Sequence, residues 1–145
     1  DHWARPMKGS YGMNGYCVDP QAGREPRGQA DWYWRGPAVA GASRVPLFLG
    51  AQRYNGVVDS VDEPPEFDGQ AWDAGGSGRM VRYCLNRHDG FVNGLLLDYS
   101  ARKIGLKELW TFKWHRRYDT AGPWTTAGGC VASDWPEWMK SFKDY

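Results

Sequence analysis

Residues 83–104 read YCLNRHDGFVNGLLLDYSARKI and contain the apolar run Leu95-Leu96-Leu97, around which the rest of the chain is expected to pack. Two dipeptides that favour tight turns, Asp89-Gly90 and Asn93-Gly94, precede this run. A short apolar run beside turn residues is typical of a buried β-strand. We therefore predict a central β-hairpin in which residues 81–87 pair with the strand that contains the three leucines.

The composition predicts one small domain, residues 1–145, with an aromatic core. Nine Trp, eight Tyr and five Phe make up 15% of the chain, and glycine (19) and proline (9) are also frequent. Such a composition is typical of a β-rich domain with many loops and little helix. The net charge of +1 gives no global field that would attract nucleic acid, and no window approaches the ~18 apolar residues of a membrane span. We therefore expect neither nucleic acid nor a membrane as a partner of this segment.

The predicted fold class is α+β, with a small antiparallel sheet, long loops and two short helices. Residues 10–17 and 44–52 are further candidate strands. Pro46 lacks a backbone N–H, so the second of these strands is predicted to lie at a sheet edge or to start at the proline.

The two helices are predicted in the C-terminal third of the chain. Residues 105–114 place apolar side chains at positions i, i+3 and i+4, which is typical of an amphipathic helix. His115 would follow the end of this helix, where a positive charge complements the helix dipole. Residues 133–143 start with a capping side chain and have Pro136 near the first turn, so they predict the second helix.

Residues 53–80 form the longest irregular segment and are rich in acidic side chains. The simpler interpretation is a solvated acidic loop. The alternative is a Ca²⁺ site, because Ca²⁺ binds clustered carboxylate and carbonyl oxygens, although the spacing differs from that of an EF-hand. The candidate ligands are Asp59, Asp62, Glu66 and Asp68. No other cofactor is expected.

Three cysteines, Cys17, Cys84 and Cys130, are too far apart in sequence to indicate a metal cluster. Two interpretations stay open: three buried thiols, or one disulfide with one free thiol. Cys17 with Cys84 is the favoured pair, because both residues lie in predicted strands.

The sequence contains no motif that indicates an enzyme. A phosphate-binding loop, Gly-x-Ser-x-Gly, His-Glu-x-x-His and Cys-x-x-Cys are all absent. His88 and Asp98 are the one pair with the residue types of an acid–base dyad. In the predicted hairpin they lie about four residue steps apart, roughly 13 Å, which is too far for a dyad. We therefore expect His88 to close the hairpin loop and Asp98 to open the next turn by accepting hydrogen bonds from backbone amides.

The same stretch resembles a signature of a known family. His88, the turn after it, Asn93, the leucine run and Asp98 resemble the His-x9-Asp-Gly signature of pseudopilins that are abundant in Planctomycetes. Three more segments resemble parts of the same family in the expected order. These are residues 10–15, 45–49 and 103–115, so the resemblance spans most of residues 10–118.

Two departures from the family pattern limit the resemblance to the globular head, or to a subunit that assembles in some other way. Tyr99 stands where the signature has Gly, and Tyr costs on the order of 1 kcal/mol if the turn requires a positive φ. Such pseudopilins also begin with a basic leader and a hydrophobic, Glu-containing helix, which anchors the subunit and later packs in the filament core. Residues 1–145 contain neither of these segments.

The resemblance implies a structural function without catalysis. Pseudopilin heads form the outer layer of a pilus-like filament or of a type II secretion pseudopilus. The implied partners are copies of the same chain and other pseudopilins. The implied location is extracellular or at the cell surface, with passage through the periplasm during assembly.

Four tryptophans outside the predicted strands and helices are candidate interface residues: Trp3, Trp32, Trp34 and Trp72. Exposed aromatic side chains suit a protein interface, whereas in a core poor in aliphatic residues they would be buried instead. Exposed Trp also stacks on sugar rings, so a carbohydrate-binding β module on the cell surface is the alternative function, with glycans as partners. A third hypothesis is a small hydrolase that uses His88, Asp98 or His115, although no motif favours it.

Overall fold

A computed structural model describes residues 10–70 and 80–145. These residues form a small, sheet-rich fold with an open five-stranded sheet and short 3-10 turns. The strands are β1 (Tyr11–Asn14), β2 (Pro46–Gly50), β3 (Asn55–Gly56), β4 (Phe91–Leu96) and β5 (Ala101–Gly105). Their order across the sheet is β3-β1-β2-β4-β5. Since β1 and β3 run parallel while the other neighbours run antiparallel, the sheet is mixed, and the wholly antiparallel sheet predicted from the sequence is wrong.

β4 occupies most of the predicted central strand, but its partners differ from the predicted one. It lies between β2 and β5, and the hairpin is formed by β4 and β5. Residues 81–87 are not a strand: Met80–Arg82 is a 3-10 turn, and the next three residues, Tyr83, Cys84 and Leu85, are all buried. Successive strand residues point to opposite faces of a sheet, so three consecutive buried side chains fit a segment that passes through the core.

β2 is the central strand of the sheet, with β1 on one side and β4 on the other. Pro46 is its first residue, a position where a missing N–H is tolerated. The predicted strand and its start at the proline are therefore confirmed, and the edge position is wrong.

The first predicted helix is a short 3-10 helix, Lys107–Thr111. It is shorter than predicted because β5 extends to Gly105 and the backbone is extended again at Phe112. The apolar side chains that suggested a helix are nevertheless buried, namely Leu106, Leu109, Trp110 and Trp114.

The second predicted helix is two separate 3-10 turns, Ala132–Asp134 and Glu137–Met139. Between them Trp135 is extended, with φ −76° and ψ 150°. Steric contact with the ring of Pro136 disfavours helical backbone at the preceding residue, which explains the interruption. Among the described residues no helix has the length and hydropathy needed to cross a membrane.

The main core packs against one face of the sheet, which we call the inner face. It contains Leu49 from β2, Val92 and Leu96 from β4, and Ile104 from β5. Gly94 also lies on this face, where a Cβ atom would be 2.4 Å from Ile104 Cδ1. The glycine therefore leaves the space that the isoleucine side chain fills.

Asn14 joins three parts of the chain at the end of β1. Its side chain is fully buried, and its Nδ2 donates to the carbonyl oxygens of Pro46 and Trp114, both at 2.9 Å. Its Oδ1 accepts from the backbone N–H of Tyr16 at 3.1 Å. A buried side chain with all these partners stabilises the fold, since losing it would leave buried backbone groups unpaired.

Candidate functional site

The turn after β4 is built by Asp98. Its Oδ1 accepts from the backbone N–H of Ser100 at 3.0 Å and from the Ser100 hydroxyl at 2.5 Å. Both hydrogen bonds lower the pKa of the Asp98 carboxyl, and the bond from the Ser100 hydroxyl has the larger effect. Asp98 thus holds the turn by accepting from the backbone amide of Ser100, in agreement with the prediction from the sequence.

Tyr99 adopts the backbone geometry that the glycine of the signature would favour. Its φ is 67°, in the left-handed region, and its N–H donates to the carbonyl of Leu96 at 2.9 Å. Leu96 in turn bonds Ser100, so the loop has three residues and ends with a left-handed residue. This is a common hairpin connection, and glycine is its usual last residue. Tyr99 occupies that position with 68% of its surface exposed.

His88 lies before β4, whereas Asp98 lies after it. The two are therefore separated by the length of a six-residue strand, roughly 20 Å, and form no dyad. His88 is exposed, and its Nε2 is 3.4 Å from Nδ2 of Asn93. It closes no hairpin loop, and that prediction is wrong. The segment that leads into β4 is held instead by Asn86, whose Oδ1 accepts from the backbone N–H of Gly90 at 2.7 Å.

Trp32 belongs to a small aromatic cluster, separate from the main core, that contains Tyr16, Tyr33 and Val57. Trp32 is half-buried and stacks on His115, with ring centroids 4.1 Å apart and an angle of 13° between the planes. Part of the Trp32 side chain is therefore buried within the protein, and only the remainder is available to a partner. The other predicted interface residues Trp3 and Trp72 lie outside the described residues.

His115 is fully buried, so its predicted position as a charge at a helix end is wrong. The backbone N–H of Arg117 donates to Nδ1 at 3.2 Å, which leaves the proton of a neutral ring on Nε2. Nε2 lies 3.4 Å from Oδ1 of Asp59. Burial favours a higher pKa for Asp59, but hydrogen bonds from His115 and Ser60 outweigh burial and lower it. The pair thus fastens two distant segments inside the aromatic cluster.

Two of the other candidate Ca²⁺ ligands, Asp62 and Asp68, also have partners within the protein. Asp62 is buried against Arg27, with N–O distances of 2.8 and 3.0 Å. Asp68 accepts from the backbone N–H of Asn86 at 3.0 Å, and Glu66 is exposed. Within residues 10–70 and 80–145, no three His, Cys, Asp or Glu side chains are grouped to hold a metal ion. The described acidic residues therefore do not support the Ca²⁺ site.

The three cysteines are free thiols, and the favoured Cys17–Cys84 disulfide is not formed. Cys17 Sγ lies 3.6 Å from the carbonyl oxygen of Pro46, and Cys84 Sγ lies 3.8 Å from Met139 Sδ. Burial raises the pKa of Cys17 to about 12 and that of Cys84 well above the ordinary value. Both thiols are therefore protonated at neutral pH and poor nucleophiles.

The outer face of the sheet carries an apolar row that sequence periodicity did not identify. Met13, Phe48, Leu95 and Ala101 are directly opposite one another on β1, β2, β4 and β5. Phe48 is 41% exposed and Tyr11, on the same face of β1, is 53% exposed. Alternating side chains in a strand point to opposite faces of the sheet, which a sequence can indicate. Which residues of different strands lie side by side depends on the strand register, and this register brings the four side chains into one row.

Two neighbouring clefts lie beside Trp34. One, of about 520 Å³, is lined by Trp34, Val39, Lys113 and Arg116. The other, of about 530 Å³, is lined by Tyr33, Asp31 and three arginines, and Arg116 belongs to both. Trp34 is half-buried, and its indole N–H donates to the carbonyl of Trp114 at 3.0 Å. Trp34, one of the predicted interface residues, thus lines a cleft.

No family model, curated protein or solved structure matches the chain. The fold itself presents two candidate surfaces: the apolar row on the outer face, and the two clefts that share Arg116.

Proposed function

We propose that the chain is the globular part of a non-catalytic structural subunit in an extracellular pilus-like filament or type II secretion pseudopilus. The observation that carries this proposal is the apolar row on the outer face. In this row Phe48 is exposed while Met13 and Leu95 are half-buried. Apolar side chains that reach the surface together mark an interaction site, because association removes them from water. The occupants are copies of the same chain, together with other pseudopilins, and the location is the cell surface, reached through the periplasm.

The geometry of Tyr99 supports the pseudopilin resemblance at one position. The signature has glycine where this chain has Tyr99, and the backbone there has the positive φ that glycine favours. The local turn thus agrees with the signature even where the residue does not.

The proposal predicts that a charge in the apolar row blocks assembly. Phe48→Lys should weaken association between copies by about tenfold or more, because the contact would bury an unpaired charge. Sedimentation velocity over a concentration series measures the association, and electron microscopy of the native material shows whether fibres form. Val18→Lys is the matched control, since Val18 is 37% exposed and lies outside the sheet.

The expected result is fibres or concentration-dependent assembly for the wild type and for Val18→Lys, with loss of both in Phe48→Lys. Circular dichroism verifies that each variant is folded. A wild type that stays monomeric at high concentration and forms no fibres would overturn the proposal, as would equal association of the two variants.

The half-buried Trp34 favours a second candidate, a carbohydrate-binding β module on the cell surface. An aromatic ring that is fixed by its N–H and lines a cleft is preorganised to stack on a sugar ring. A surface fibre that binds glycans would combine both functions.

A further inference from the structure

Arg116 lines both of the neighbouring clefts. Arg116 is exposed, and its backbone is held by the hydrogen bond from its N–H to the carbonyl of Trp32 at 2.9 Å. Within the described ranges, 10–70 and 80–145, its guanidinium has no hydrogen-bond or ion-pair partner. The residue thus places one uncompensated positive charge between the two clefts.

The other two arginines that line these clefts are paired with carboxylates. Arg117 bonds Asp31 through two nitrogens, at 2.9 and 3.0 Å, and Arg35 lies 3.4 Å from Asp19. These exposed pairs contribute little to stability, but they present both donors and acceptors at the surface. A ligand with hydroxyl groups can use both kinds of group.

Trp34 provides the apolar part of the surface. Its ring is anchored at the indole N–H and lines the cleft beside Val39 and Arg116. Lys113 also lines this cleft, and its Nζ donates to the carbonyl oxygen of Tyr118 at 2.5 Å. Trp34 and Arg116 thus line the same cleft, with a second cation, Lys113, in its wall.

We infer that these clefts bind an acidic oligosaccharide, with one sugar ring on Trp34 and a sugar carboxylate on Arg116. A guanidinium binds a carboxylate through two parallel hydrogen bonds. The paired charges of Arg117, Asp31, Arg35 and Asp19 match the hydroxyls of neighbouring sugar units. The inference makes the carbohydrate-binding candidate specific, and it does not depend on the filament function.

The mixed charge favours an acidic sugar over a nucleic acid. Binding a phosphate backbone depends on a continuous set of cations that neutralise several phosphates. Here Asp31 lines one cleft and Asp19 pairs with Arg35, so two carboxylates interrupt the set of cations and would repel a phosphate backbone. An acidic sugar is less affected than a nucleic-acid backbone, because its hydroxyl groups can donate hydrogen bonds to these carboxylates, whereas backbone phosphate oxygens only accept.

Binding calorimetry with an oligogalacturonate at low ionic strength tests the inference. Its methyl-esterified form has the same sugar units without the charges, and an oligothymidylate of equal length represents nucleic acid. We expect the acidic sugar to bind and the esterified form to bind about tenfold more weakly, since a hydrogen bond to a charged group is lost.

Two variants and two controls locate the site. Arg116→Gln keeps an exposed polar side chain and should reduce affinity for the acidic sugar about tenfold, without changing that for the ester. Trp34→Ala should weaken both ligands. The controls are Arg24→Gln, an exposed arginine that lines neither cleft, and Trp124→Ala, whose groove is lined by carboxylates. Both controls should bind as the wild type does.

Three results would overturn the inference: equal affinity for the acidic and esterified sugars, wild-type affinity in Arg116→Gln, or a preference for oligothymidylate. Equal binding of both sugars would leave the general carbohydrate-binding candidate standing. Absence of binding to any sugar would remove that candidate too, while the filament proposal would be unaffected because it is tested on Phe48.

Discussion

Tyr99 has a backbone conformation that L-amino acids other than glycine rarely adopt. Its φ of 67° places its Cβ close to the following carbonyl group, and its exposed side chain has little packing to offset that contact. The hydrogen bonds from Ser100 to Asp98 and from Tyr99 to Leu96 hold the turn in this shape. The residue therefore carries conformational strain that the hairpin tolerates.

Replacing Tyr99 with glycine should stabilise the protein. Tyr99→Gly is expected to raise the free energy of unfolding by about 1 kcal/mol, because relief of the left-handed conformation outweighs the entropy that glycine adds to the unfolded chain. Urea unfolding measures the change. Tyr99→Ala keeps the Cβ atom and should give no such gain; equal stabilisation by alanine would show that the backbone is not the cause.

β4 and β5 pack through a glycine that faces a large side chain. Gly94 and Ile104 lie on the inner face, and the space beside Gly94 is filled by the Cδ1 methyl of Ile104. The atom that a new Cβ would meet is the end of a flexible side chain, so Ile104 must change rotamer or give up that methyl. The packing of this strand pair thus depends on two residues jointly.

A double-mutant cycle tests that dependence. Gly94→Ala should cost about 1–3 kcal/mol through overpacking, and Ile104→Val about 0.5–1.5 kcal/mol. The double variant should lose less than the sum, by at least about 0.5 kcal/mol, since valine lacks the methyl that alanine displaces. Thermal or urea unfolding measures all three variants. Gly50→Ala is the control, because a Cβ there meets Val92 at an ordinary 3.7 Å; strictly additive losses would contradict the packing argument.

The whole molecule is held together by contacts between segments that are far apart in sequence. His115 joins three of them: it stacks on Trp32, lies against Tyr16 and bonds Asp59. Arg27 and Asp62 add an ion pair between the same regions. With few aliphatic side chains and no long helix in the described residues, this aromatic cluster fixes the loops against the sheet.

The Asp59 carboxyl makes the stability of the whole molecule depend on pH. The pKa of Asp59 is lower in the folded than in the unfolded protein. Its contribution to the free energy of unfolding is therefore fully present above the unfolded pKa of about 4 and is lost as the pH falls through the folded pKa. Asp59→Asn should therefore be less stable at neutral pH and should lose stability less steeply in acid. Urea unfolding over a pH series measures both effects. Asp19→Asn, at a carboxylate that is 74% exposed, is the control; a wild-type acid slope in Asp59→Asn would contradict the prediction.

The turn at Asp98 and much of the sheet were predictable from local sequence. The predicted strands include β1, β2 and β4, because their apolar residues and turn signals lie within one segment each. β5 was missed as a strand, since its first three residues, Ala101, Arg102 and Lys103, are exposed and carry no alternation. Both helices were overpredicted, because apolar spacing shows which side chains are buried but not whether the backbone bonds are those of an α-helix.

The sequence by itself determined which side chains seek the interior and where the chain turns: the leucines of β4, the tryptophans after β5, and Asp98. Tertiary structure decided what these elements meet. β4 pairs with β2 and β5, and His115 is buried beside Asp59, because pairing and burial depend on which distant segments return to the same place. The apolar row on the outer face and the clefts around Arg116 likewise exist only through strand register and loop packing, which no local pattern encodes.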